Sequence, residues 1–92
     1  MTINYLKSSD LLKAIGHPVR LQILQGLMKD ECNVGKIVKS LGIPQSTVSQ
    51  HLAILRTRKI IKSRKDGTKT CYSIVDDKIC KILNILEKKN LK

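Results

Sequence analysis

Residues 33 to 60, NVGKIVKSLGIPQSTVSQHLAILRTRKI, constrain the fold more than any other stretch of this chain. They read as two helices joined by a tight turn. The first spans about 33 to 40, with Val34, Ile37, Val38 and Leu41 at helical spacing. Asn33 suits its N-cap, because a side-chain oxygen there can accept from a free backbone N–H. Gly42 suits its end, since glycine takes a left-handed conformation without a Cβ clash. Pro44 falls at the start of the second helix, where its fixed φ fits and its missing N–H costs nothing. Val48, Leu52 and Leu55 form the buried stripe of that helix, which runs to about Arg58.

The opposite face carries Ser46, Ser49, Gln50 and Ala53, with Gln45 and Thr47 at the leading end. An ordinary solvated helix carries Lys and Glu there. Short, uncharged hydrogen-bonding side chains suit base edges and phosphates in a major groove. The competing reading is an exposed polar face with no partner.

Ninety-two residues make one domain with a thin core, so dimerisation is an available source of extra stability. Lys and Arg number 18 against 7 Asp and Glu, a net charge of +11. Such a balance points to a polyanion, either nucleic acid or an anionic membrane surface. No apolar run approaches the roughly 18 to 20 residues that span a bilayer. The opening MTINYLKSSD lacks the apolar core of a signal peptide, which favours the cytoplasm and no membrane partner. Tyr5 and Tyr72 are the only aromatics apart from histidine. Binders of single strands rely on aromatic stacking, so duplex DNA is the better partner.

Upstream, residues 3 to 15 form a first helix, with Leu11, Leu12 and Ile15 apolar and Ile3, Tyr5 and Leu6 candidates for burial as well. Gly16 stops it, and Pro18 opens a second helix that is apolar around much of its circumference. Gly26 inside that helix costs propensity and marks a close helix contact. Downstream, the period changes to that of strands. Residues 60 to 64 and 69 to 75 flank Asp66-Gly67, the strongest hairpin signal in the chain. Arg56, Arg58, Lys59, Lys62, Arg64, Lys65 and Lys69 make this segment basic, with only Asp66 opposing. A basic hairpin directly after a reading helix is a wing, able to lie along phosphates or enter the minor groove. Read blandly, it is a solvated edge whose lysines discourage strand addition. Asp76 and Asp77 open a last helix running to about 91. Ile79, Ile82, Leu83 and Leu86 form its stripe, and Lys88, Lys89 and Lys92 suit its end. One small domain is not expected to cover that whole stripe, so the first and last helices are expected to form a dimer interface.

The expected fold is mainly α with one β-hairpin, in the order helix, helix, helix–turn–helix, hairpin, helix. This resembles the ArsR/SmtB family of small bacterial winged-helix repressors. The resemblance rests on LLKAIGHPVRLQIL (11–24), NVGKIVKSLGIPQSTVSQHLAILR (33–56) and IIKSRKDGTKTCYSI (60–74), nearly the whole chain. It implies a homodimer joined through the first and last helices, bound to a palindromic operator and released by an effector. The positions matching the family's DNA-reading helix are Gln45, Ser46, Thr47, Ser49, Gln50 and His51. Arg64, Lys65 and Lys69 join them from the wing.

The family's sensing patterns are not matched. Glu31-Cys32-Asn33-Val34-Gly35 has one cysteine where a metal-sensing type carries a Cys-x-Cys pair, and it is out of register. The last helix has no histidine for a second metal-sensing type. Gln25 replaces the first cysteine of a persulfide-sensing type, and Cys80 lies too early for the second. No metal ligand set is assigned, and a metal ion or a sulfur or redox signal both remain open as effector. Cys32, Cys71 and Cys80 lack the spacing of a disulfide framework and are expected to be reduced. Each is read either as a small packing residue or as part of a thiol switch, Cys32 and Cys80 before Cys71. A nonspecific architectural DNA binder or a protein-interaction module is the rival function. An enzyme finds no support: there is no Gly-rich phosphate loop, and His17 and His51 are expected to lie too far apart for one site.

Overall fold

The computed structural model describes residues 2–32 and 34–87. The chain runs α1 (Tyr5–Ile15), α2 (Pro18–Lys29), α3 (Val34–Leu41), α4 (Gln45–Thr57), β1 (Ile61–Asp66), β2 (Lys69–Ile74) and α5 (Asp77–Glu87). This is the winged helix expected from the sequence. The cap assigned to Asn33 and the lysines at 88, 89 and 92 fall outside the described residues.

α2 is the central helix and packs on α3, α4, α5 and β2. His17 opens it as N-cap, its Nδ1 accepting from the Val19 N–H at 3.1 Å, with Pro18 at the first helical position. Ile23, Leu24 and Leu27 bury its inner face. Gly26 lets α3 approach closely: a Cβ there would stand 2.8 Å from Ile37 Cγ1. Gly42 takes φ +64 directly after α3, which ends the helix as expected. Val48, Leu52 and Leu55 are all buried, so the outer face of α4 is the one the spacing assigned.

A Schellman closure joins α4 to the hairpin. The Ile60 N–H donates to Leu55 O at 2.9 Å, and the Lys59 N–H to Arg56 O at 3.0 Å. Lys59 occupies the left-handed position, φ 61, where glycine is usual. Leu55 and Ile60 are both buried beneath it. The hairpin pairs Ile61 with Ile74 and Asp66 with Lys69. Its two loop residues are therefore Gly67 and Thr68, one position later than Asp66-Gly67. Gly67 has φ +64, the first-position glycine of a primed turn.

The expected start of the first helix needs correction. α1 begins at Tyr5, capped by Asn4 Oδ1, which accepts from the Lys7 N–H at 3.0 Å. Ile3, Tyr5 and Leu6 are exposed, at 64%, 76% and 74%, because none of the described residues covers that side. On α5, Leu83 is buried in the chain's own core, whereas Ile85 and Leu86 stand out at 61% and 47%. The Asp76 carboxylate caps this helix, accepting from the Lys78 N–H at 2.9 Å.

Candidate nucleic-acid interface

α4 divides into two faces. Val48, Leu52 and Leu55 hold it to the core, while Gln45, Ser46, Ser49, Gln50 and Ala53 are exposed and Thr47 is half-buried. This places four of the six expected reading residues on one accessible, uncharged surface. Pro44 caps the leading end without a side-chain bond, so the polar side chains there are not consumed in capping.

His51 sits differently. It is half-buried, and its Nδ1 accepts from Arg20 Nε at 3.2 Å. Its ring lies 4.5 Å from that of His17, tilted by 43°. The expectation that the two histidines are far apart is therefore wrong. The turn before α2 folds back onto α4, and no local spacing reveals that. Arg20 also donates from Nη1 to Ala14 O at 3.0 Å, so one guanidinium ties the end of α1 to α4. Burial, then the neighbouring His17 and Arg20, hold the His51 pKa below its ordinary value. The neutral ring accepts at Nδ1 and keeps its proton on Nε2, as a donor.

The wing projects from the end of α4. Lys62, Lys65 and Lys69 are exposed. Arg64 is engaged: Nη1 donates to Glu31 Oε1 at 2.9 Å, and Nη2 lies 3.7 Å from Cys32 Sγ. Glu31 and Cys32 belong to the turn between α2 and α3. That turn is held to the wing by the backbone as well, since the Tyr72 N–H donates to Glu31 O at 2.8 Å.

Beneath Arg64, Cys32 and Cys71 form a disulfide, with their Cα atoms 4.1 Å apart and a sequence separation of 39. This overturns the expectation that all three cysteines are reduced. Only Cys80 is a free thiol, and it is half-buried. Cys71 is fully buried and reaches Cys32 from inside the fold, not by turning outward. The Asp66 carboxylate completes a group whose ligand atoms lie within 4.8 Å of one another. With the sulfurs bonded to each other, neither is a thiolate ligand.

Among the described residues no helix is long and apolar enough to cross a membrane.

Residues 17–63 match the model of the bacterial regulatory proteins of the arsR family. An uncharacterized HTH-type transcriptional regulator of Methanocaldococcus jannaschii is 42% identical over 84 residues, covering 90% of this chain and 94% of that protein. The transcriptional repressor PagR of Bacillus anthracis is 41% identical over 88 residues, 91% of this chain and 88% of its own. Its crystal structure superposes with a TM-score of 0.80 at 38% identity, over 90% of this chain and 95% of that one. HlyU from Vibrio cholerae N16961 superposes with a TM-score of 0.82 at 35% identity, over 94% of both chains. Proteins of this family work by binding DNA and not by catalysis, in keeping with the absence of any catalytic motif in the sequence. The chain belongs to the arsR family of bacterial regulatory proteins and is a winged-helix, DNA-binding transcriptional regulator.

Proposed function

We propose that this regulator is a homodimeric, sequence-specific repressor that binds a palindromic operator in the cytoplasm and leaves it when an effector acts. The observation that carries the reading is the exposed, uncharged polar face of α4 beside a lysine-rich wing. Gln45, Ser46, Thr47, Ser49 and Gln50 enter the major groove and read base edges. His51 donates from Nε2 to a phosphate at the groove's edge. Arg64, Lys65 and Lys69 grip the backbone or the minor groove. A nonspecific binder would place its cations on the reading face, and here they flank it.

The dimer is supported by Ile3, Tyr5, Leu6 and Leu12 beside α1 and by Ile85 and Leu86 on α5, all large, apolar and exposed. Covering both ends with a second copy removes that surface from water. Two reading helices related by a two-fold axis then meet half-sites about 34 Å apart. The test is affinity for DNA upstream of the protein's own gene against random duplex, across a salt series. Equal affinity for both at every salt concentration would replace the repressor with an architectural binder.

A further inference from the structure

We infer that Cys32 and Cys71 are an oxidant-responsive dithiol whose disulfide withholds one wing cation from DNA by holding Glu31 against Arg64. The proposal rests on the operator-binding reading above and names its signal as a hydroperoxide.

The two sulfurs are unlike. Cys32 is half-buried in the turn before α3, and Cys71 is fully buried on β2, so an oxidant meets Cys32 first. The Arg64 guanidinium, 3.7 Å from Cys32 Sγ, stabilises negative charge on that sulfur. Glu31 and Asp66 face the same cluster and temper that effect. Cys80 is on α5 and outside the pair.

The chemistry balances with one equivalent of hydroperoxide. The Cys32 thiolate attacks the terminal peroxide oxygen. The O–O bond breaks, and the alkoxide or hydroxide leaves and takes up a proton. Cys32 becomes a sulfenic acid. The Cys71 sulfur then attacks Cys32 Sγ and the S–O bond breaks. The Cys71 proton leaves with the hydroxyl group as water. Two thiols and one hydroperoxide give one disulfide, one alcohol or water, and one water.

The consequence for DNA follows from the neighbours. Glu31 precedes Cys32 in the chain, and Arg64 faces Cys71 across the hairpin. The disulfide therefore fixes the Glu31 carboxylate beside the Arg64 guanidinium, where the 2.9 Å ion pair occupies a cation the wing would offer to phosphate. Reduction removes the covalent tie and leaves the turn joined to the wing by the Tyr72–Glu31 backbone bond and the exposed Arg64–Glu31 pair, which Arg64 can exchange for a phosphate.

The experiment treats the fully reduced chain with hydrogen peroxide, counts thiols, maps the crosslink by mass spectrometry and measures affinity for cognate and random duplex. Three thiols should fall to one, with residues 32 and 71 linked. Affinity for the cognate duplex should drop about tenfold, within the usual range of coupling between two sites. Glu31→Gln should still form the disulfide yet lose most of the affinity change. Cys71→Ala should stop at a sulfenic acid on Cys32 that dimedone captures. If that variant does not fold, brief dimedone trapping on the wild type reads the same intermediate. A crosslink through Cys80, or no crosslink, overturns the proposal. So does an oxidised protein that binds as tightly as the reduced one, or operator release by Zn²⁺ on the reduced pair with no response to peroxide. If neither redox form selects the cognate duplex, the repressor reading fails. If the reduced form selects it and oxidation changes nothing, the switch fails alone.

Discussion

Arg20 donates its Nε–H to Nδ1 of His51, 3.2 Å away, and so joins the second helix to the fourth through a histidine that must stay neutral. Burial, His17 and Arg20 all lower the His51 pKa from 6.5. The folded state therefore binds fewer protons than the unfolded chain as the pH falls through that range. This contribution to stability is complete above 6.5 and lost below it. Urea unfolding from pH 7.5 down to 5 should show falling stability, and His51→Gln should flatten the profile. A profile that keeps its slope in the variant would assign the loss to other groups.

Gln50 is exposed on the outer face of α4. Gln50→Ala should cost about 1–3 kcal/mol at the cognate site and relax discrimination there. The check is a competition assay with single-base operator variants. Equal weakening on cognate and random duplex would mean that Gln50 touches backbone and not bases.

Lys65 lies on the wing, exposed and close to the turn. Lys65→Ala should weaken binding to every duplex and reduce the slope of log affinity against log salt by about 0.9 for one lost phosphate contact. An unchanged slope would return the hairpin to a solvated edge.

Leu83 and Leu86 separate two roles on one helix. Leu86 is 47% exposed and Leu83 5%. Leu86→Asp should yield a folded monomer in sedimentation experiments. Leu83→Ala should instead destabilise the chain by about 2–5 kcal/mol, the cost of a core cavity. A Leu86→Asp protein that sediments as a dimer would move the interface off this helix.

What the sequence disclosed was local. The stripe of Val48, Leu52 and Leu55 is written in helical spacing, and it fixes which face of α4 looks outward. Gly42 and Gly67 both take the left-handed φ that their places in the sequence imply. Gly26 marks the approach of Ile37. What stayed hidden depends on contacts between distant segments. The Cys32–Cys71 bond spans 39 residues with no motif at either end. The triad of His17, Arg20 and His51 draws on two segments 31 residues apart. The apolar letters at Ile3, Tyr5 and Leu6 say that something should cover them, and nothing in the letters says whether it is the same chain.

Lys59 pays a conformational penalty at the joint between α4 and β1, with φ 61. A left-handed residue with a side chain costs about 1–2 kcal/mol, partly offset by the greater unfolded-state freedom of glycine. Lys59→Gly should therefore raise stability by about 0.5–1 kcal/mol, with Lys59→Ala near neutral. Thermal or urea unfolding of both variants decides it, and a Lys59→Gly protein less stable than wild type would show that the lysine stem contributes packing worth more than the backbone penalty.

That joint has a further consequence. The Ile60 N–H closes on Leu55 O, and β1 starts one residue later. The last turn of α4 and the first pair of the hairpin are one continuous hydrogen-bonded piece, with no linker between them. A protein built this way carries a ruler. The placing of its wing relative to the outer face of α4 is set by the three residues that join them, Arg58, Lys59 and Ile60, not by any flexible tether. On the proposed reading, side chains on α4 can be exchanged for others that prefer a different operator sequence while the spacing between base contacts and phosphate contacts stays constant. On the operator-binding reading, inserting a single residue between Arg58 and Ile60 changes the length of the DNA site while leaving the base-facing side chains as they are.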